Sequence, residues 1–351
     1  MIEKILDENP FSDKKNIRSS FFTEKINDLT RHHYENCNEY KLILNSIDYN
    51  PSINYNLSEI PFIPVRIFKD YDLMSINRDE IFKIMKSSGT SGQNYSKIYL
   101  NKSNASIQTK VLAKLVSTVL GTKRLPMLIV DCPSTIKNRK SFSARAAGII
   151  GFSTFGKRPV YALNDNMELD IENILSFFEK YKNEKVFIFG FTFVVWKFFI
   201  QSLISQKIRF NKIDGTLIHG GGWKKLIEQS VNNNEFKSKI SNILGINKVV
   251  NYYGMVEQTG SIFLECNKGN LKTSIYSDVI IRRNDFSECS YNEPGIIQVI
   301  SLLPTSYPGH SLISEDIGEL VNCDCGNPGK CFIIHGRIAK AEIRGCSDTV
   351  E

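Results

Sequence analysis

Between about residues 84 and 265, short apolar runs alternate with stretches of helical spacing, and this alternation leaves few architectures open to the chain. The runs are Leu128-Ile129-Val130, Val186-Phe187-Ile188-Phe189, Gly215-Thr216-Leu217-Ile218 and Lys248-Val249-Val250. Helical spacing marks residues 103–120, 168–181, 194–206 and 224–231 between and around them. Strands that are apolar throughout are buried on both faces, and helices are what cover them. The pattern therefore predicts an α/β fold built on a mostly parallel sheet. In such sheets ligands sit beyond the carboxyl ends of the strands. After about residue 261 the texture changes to strands and turns without long helices, around Val279-Ile280-Ile281, residues 295–300 and residues 318–321. That segment predicts a smaller β-rich subdomain. Ahead of the alternation, residues 16–47 have broken apolar faces of helical period, and Pro61 and Pro64 lead Val65-Arg66-Ile67-Phe68 into an extended segment. The expected division is a helical and extended segment over 1–80, an α/β core over 81–260, and a β-rich part over 261–351.

Bulk properties narrow the function more by exclusion than by assignment. Lys and Arg total 44 against 37 Asp and Glu, and this excess of +7 is scattered rather than gathered in a stripe, which argues against a nucleic-acid partner. The same excess suits an anionic small substrate or an ordinary solvated surface equally well. The most apolar stretch, residues 187–200, is too short to span a membrane and contains Lys197. Met1 to Pro10 lack the pattern of a secretory signal, so the eight cysteines are expected as reduced thiols in the cytoplasm.

Three local features carry chemistry on residue type alone. Ser87, Ser88, Gly89, Thr90, Ser91 and Gly92 combine two glycines with four hydroxyls. Backbone N–H groups can then approach phosphate oxygens while hydroxyls donate further hydrogen bonds. The competing reading is a plain Ser/Gly turn, and the Gly-Lys-Ser/Thr ending of a Walker loop is missing. Lys97, five residues on, can add positive charge. Cys323-Asp324-Cys325, Cys331 and Cys266 form the second feature. Four thiolates suit a structural zinc ion, the alternative being unliganded cysteines. The third is Cys346, where Arg344 two residues before it favours the thiolate, the alternative being a tail thiol with no role. Residues 187–200 are dense in aromatics and fit an apolar pocket or simple core. Trp223 either closes over a base or packs. His219 and His310 read as structural histidines, His310 being singled out for its nearness to Asp316. Cys37, Cys132 and Cys289 belong to no constellation.

Residues 88–92 resemble the phosphate loop of the acyl-adenylate-forming superfamily of acyl- and aryl-CoA ligases, luciferases and adenylation domains. Further segments resemble that superfamily in its own order: Gly220-Gly221-Gly222, Tyr252-Tyr253-Gly254-Met255-Val256-Glu257, Glu315-Asp316 and Gly336-Arg337. Within it, residues 60–65, 253–260, 303–310 and 341–348 look like LuxE-type acyl-protein synthetases, from about residue 60 to the end. The resemblance implies the large N-terminal-type domain of adenylate-forming enzymes, with the usual mobile C-terminal domain absent. It implies ATP and Mg²⁺, with Gly220, Gly221 and Gly222 on the adenine side and Tyr253 and Gly254 beside the nucleotide. Glu257 would be the Mg²⁺ ligand, Asp316 the ribose acceptor, and Arg337 a ribose or phosphate contact. Val256 departs from the superfamily's threonine. The missing C-terminal catalytic lysine must be replaced by another cation, for which Lys97, Lys157 and Arg158 are candidates.

The expected function is therefore ATP-dependent activation of a carboxylic acid, with a fatty acid favoured. The acyl group would pass from acyl-AMP to Cys346 and on to a reductase partner. The alternatives are a ligase that uses free CoA as acceptor and a non-catalytic adenylate-binding subunit.

Overall fold

The computed structural model describes residues 3–13, 20–87, 95–136, 144–223, 230–246 and 248–338. Its strands are β1 (Ile63–Pro64), β2 (Lys83–Lys86), β3 (Lys97–Leu100), β4 (Leu125–Val130), β5 (Gly156–Tyr161), β6 (Val186–Phe191) and β7 (Gly215–Gly220). They continue with β8 (Lys248–Tyr253), β9 (Phe263–Glu265), β10 (Leu271–Lys272), β11 (Ser277–Arg282), β12 (Gly295–Ser301), β13 (Ser311–Val321) and β14 (Cys331–Arg337). The chain divides into two compact units. One comprises the described residues among 3–87, 95–115 and 254–338, and the other those among 116–253.

The second unit is the parallel half, with strand order β5-β4-β6-β7-β8. Every residue of β6 and β7 is buried. A side chain on either face of these strands meets a covering layer, which is why the sequence shows continuous rather than alternating hydrophobicity. The helix Ile171–Lys180 buries Ile174, Phe177 and Phe178, one stripe at spacing i, i+3, i+4. Each such burial contributes about 2 kcal/mol. Asp170 caps it, its side chain accepting from the Asn173 N–H at 3.1 Å. The helix Asn233–Leu244 starts on the Asn232 side chain and ends on Gly245 at φ 67°. A Cβ there would sit 2.3 Å from the Lys212 nitrogen, so the left-handed turn and the close approach both require glycine.

The first unit is mostly antiparallel, in the order β11-β12-β13-β14-β10-β9, with β1 joined to β13 in parallel. β2 and β3 form a separate hairpin. The helices Phe22–Asn36 and Asn38–Asn45 belong to this unit and bury Phe22, Ile26, Leu29, Tyr40 and Leu44.

Two local expectations are corrected. Residues 65–68 do not run on as an extended segment: after β1 the chain turns into a short helix, Ile67–Asp70. That turn buries Phe68 edge-on to Tyr307, with ring centroids 6.0 Å apart. Residues 194–206 are not one regular helix, since Val195–Ile200 widens into a π-helical segment before Gln201–Ser205. The stretch expected to be helical at 224–231 lies largely outside the described residues. Among the described residues no helix is long and apolar enough to cross a membrane.

Candidate functional site

The glycine triplet begins on the last residue of β7, at the carboxyl end of the parallel sheet, where that topology leaves room for ligands. Gly220 lies so close to β8 that a Cβ would be 2.6 Å from the Tyr252 carbonyl oxygen. Gly221 and Gly222 have φ of +87° and +67°. Replacing Gly221 with Ala should destabilise the protein by about 1–2 kcal/mol, the cost of a left-handed non-glycine residue. The new methyl would also press on the Phe191 ring, 2.8 Å away. Thermal denaturation reads this as a lower melting temperature, and an unchanged one would show that the loop relaxes.

His219 and Thr192 brace the same loop from beneath. The Thr192 hydroxyl donates to the Gly220 carbonyl at 3.1 Å and lies 2.9 Å from His219 Nδ1. Having spent its one proton on the carbonyl, that hydroxyl accepts from Nδ1–H, which fixes the histidine tautomer. Burial, with a lesser effect of Lys237, drives the His219 pKa down to about 3, so the ring is neutral. Trp223 packs edge-on to Trp196 and Phe236, with centroids 5.6 and 5.8 Å away. The aromatics of residues 187–200 are largely core: Phe187, Phe189 and Phe199 are fully buried.

In the first unit the two segments 254–260 and 303–310 interlock. The Tyr307 hydroxyl donates to the Glu257 carbonyl at 2.8 Å, and Gln258 Nε2 donates to the carbonyls of Gly309 and Val299 at 2.9 and 3.1 Å. Gly309 passes so near that a Cβ would lie 2.8 Å from the Glu257 oxygen. These contacts hold the tight turn Val256–Gln258 and bury Glu257 to 6% exposure. Burial raises the Glu257 pKa, opposed by a hydrogen bond from Ser96 and the charge of Arg337 and reinforced by Glu315. The result is a desolvated carboxylate with one hydroxyl and one guanidinium in attendance, which suits an oxygen ligand to a hard cation.

Asp316 and Arg337 face each other across β13 and β14, and Arg337 Nε lies 3.3 Å from Asp316 Oδ1. Glu257, Asp316 and Arg337, distant in sequence, are thus brought into one neighbourhood. Lys97 opens β3 and pairs with Asp72 at 3.2 Å. Lys157, in the other unit, pairs with Glu184 at 2.9 Å. Ser87 closes the β2–β3 hairpin: its N–H donates to Ser96 O, and its hydroxyl accepts from Ser96 N–H at 2.9 Å. Ser88, Gly89, Thr90, Ser91, Gly92 and Cys346 lie outside the described residues. His310 does not join Asp316. It stacks on His33 at 4.9 Å and bonds Thr30 at 2.9 Å, and burial takes its pKa down to about 3.

One polar group escaped the sequence reading. At the end of β4, Asp131 receives Arg145 Nε and Nη2 at 2.7 and 2.6 Å, both side chains being 2% exposed or less. Thr135 adds a third contact to each of them. The only signal was an aspartate ending an apolar strand. Its arginine partner, 14 residues on, sits in a helix that the hydrophobic pattern did not reveal.

The fold defined by these units is that of adenylate-forming enzymes. The chain aligns with a 2-hydroxyisobutyryl-CoA ligase in complex with 2-HIB-AMP and CoA at a TM-score of 0.68 and 14% identity, covering 91% of this chain and 74% of that one. A post-adenylation form of that ligase, in complex with R3-HIB-AMP, gives 0.70 and 14%, over 92% and 68%. The family is set by sequence: residues 1–351 match the model of the acyl-protein synthetase LuxE, and the chain belongs to that family. The long-chain-fatty-acid–luciferin-component ligase of Photorhabdus luminescens is 35% identical over 65 residues, a stretch making up 18% of this chain and 55% of that protein.

Proposed function

We propose that this chain is an ATP-dependent acyl-protein synthetase that activates a fatty acid and then acylates its own Cys346. Membership of the LuxE family supports acid activation. The observation that carries the reading is the buried Glu257, held by the interlocked segments 254–260 and 303–310 and attended by Ser96 and Arg337. The relative's name concerns long-chain fatty acids, and the same class of acid is taken for this chain.

In this reading a carboxylate oxygen attacks the α-phosphorus of ATP, and pyrophosphate leaves with the electrons of the broken P–O bond. Asp316 accepts from ribose hydroxyls, and Arg337, tied to it at 3.3 Å, keeps the acceptor oriented. Residues 88–92 donate to the phosphates, and Gly220, Gly221, Gly222, Tyr253 and Gly254 bound the adenine side. A Mg²⁺ ion, when bound, neutralises phosphate charge, and Glu257 is the residue suited to hold it. Lys97 supplies a positive charge for the phosphates once released from Asp72. The Cys346 thiolate then attacks the acyl carbonyl, AMP leaves, and the thioester is delivered to a reductase.

Intact-protein mass spectrometry after incubation with ATP, Mg²⁺ and mixed fatty acids tests the acceptor. The parent chain should gain one acyl mass that hydroxylamine removes. Cys346→Ser should lose that adduct yet keep acid-dependent ATP–pyrophosphate exchange. A hydroxylamine-labile adduct that persists on Cys346→Ser would reject the assignment. Acyl transfer only to added CoA would favour the CoA-ligase alternative.

A further inference from the structure

Four sulfur atoms in the first unit meet at one point. Cys266 follows β9, Cys323 and Cys325 lie in the turn after β13, and Cys331 opens β14, yet their Sγ atoms are all within 4.8 Å of one another. Cys266 and Cys323 are 3.8 Å apart, and Cys325 and Cys331 are 3.6 Å apart. A zinc ion with Zn–S bonds of about 2.3 Å at tetrahedral angles sets S···S edges of about 3.8 Å. A disulfide would need about 2.05 Å. The first separation matches the metal value and the second, at 3.6 Å, lies close to it, both far from the disulfide value.

The surroundings fit the same ion. Asn270 Nδ2 reaches the Cys323 sulfur at 3.3 Å. Donors aimed at sulfur stabilise thiolate rather than thiol and fix ligand direction. Four thiolates on Zn²⁺ leave a net charge of −2, and Lys272 lies in the field of Cys266, Cys325 and Cys331. Lys268, on the β9–β10 turn, pairs with Asp324 between two of the cysteines. Gly269 and Gly326, at φ +87° and +77°, make the two tight turns that present the sulfurs.

We propose that Cys266, Cys323, Cys325 and Cys331 bind one structural zinc ion. With no open position among four protein ligands, the ion has no catalytic part. It ties the β9–β10 turn to the β13–β14 turn at one end of the ladder whose other end carries Asp316 opposite Arg337. Cys331 itself pairs with Val321 on one side and Lys272 on the other, so the clasp fixes the register of three strands. The site stands independently of the ATP chemistry.

Metal analysis of protein purified under reducing conditions without chelator should find one zinc per chain. Cys323→Ser and Cys331→Ser should each lose most of it. Should those variants fail to fold, the parent chain stripped of metal and reloaded with Co²⁺ keeps the test open. It should then show the visible bands and strong sulfur-to-metal absorption of tetrahedral tetrathiolate cobalt. A reduced parent chain that neither carries zinc nor takes up Co²⁺ in this form would overturn the proposal. So would iron in place of zinc, or zinc retained in full by folded Cys323→Ser and Cys331→Ser.

Discussion

On the proposed reading, Glu257→Gln should lower acid-dependent ATP–pyrophosphate exchange by about 100-fold or more while leaving the fold intact, because there it removes the charge proposed to hold the phosphate cation and little else. The amide is nearly isosteric, the turn Val256–Gln258 is held by Tyr307, Gln258 and Gly309 rather than by the Glu257 side chain, and the Ser96 hydroxyl can still donate to an amide oxygen. Stability should move the other way. Burial raises the folded-state pKa of Glu257 above its unfolded value. The folded chain therefore binds more protons in that window, and stability falls as pH rises through it. The charged carboxylate is thus a cost to the metal-free protein at neutral pH, and Glu257→Gln should melt at the same temperature as the parent or higher. A variant that loses exchange by unfolding would show a lower melting temperature, and full exchange in a folded variant would remove Glu257 from the site.

The second large effect concerns stability alone. Arg145→Ala or Asp131→Ala should each cost about 3–5 kcal/mol, because removing one partner leaves the other charge buried and unpaired. Against a total stability of about 5–15 kcal/mol, either change brings the protein close to unfolding at ordinary temperatures. Replacing both together, Asp131→Leu with Arg145→Met, should cost less than either single alanine change, since no orphan charge remains. Denaturant titration of the four proteins measures this directly. Equal, small losses in both single variants would show that water reaches the pair.

The contrast between Glu257 and Asp131–Arg145 shows what the sequence could reveal. Strands β4, β6 and β7 were legible because continuous apolar runs are the mark of a strand covered on both faces, and β8 through its buried Val249-Val250. β5 was not, since its run Gly-Lys-Arg-Pro-Val-Tyr has the charge and proline of an edge strand and is only partly buried. The helix Ala144–Ser153 escaped for a related reason, its small and glycine-containing sequence giving little periodic contrast. The cysteine cluster was readable by residue type, but bringing Cys266 to Cys323 needs the β9–β10 and β13–β14 turns side by side, which spacing alone cannot supply. Asp316 and Arg337 were named separately, and only the strand register makes them a pair. The burial of Glu257 depends on Tyr307 and Gly309, some 50 residues away, and so on tertiary structure.

Acid activation itself is tested most directly by ATP–pyrophosphate exchange on the unaltered chain, with Mg²⁺ and a panel of fatty acids of graded length. Label should pass from pyrophosphate into ATP only when an acid is present, with a maximum at one range of chain length. Binding of ATP without exchange at any length would contradict adenylation and leave the chain as an adenylate-binding subunit.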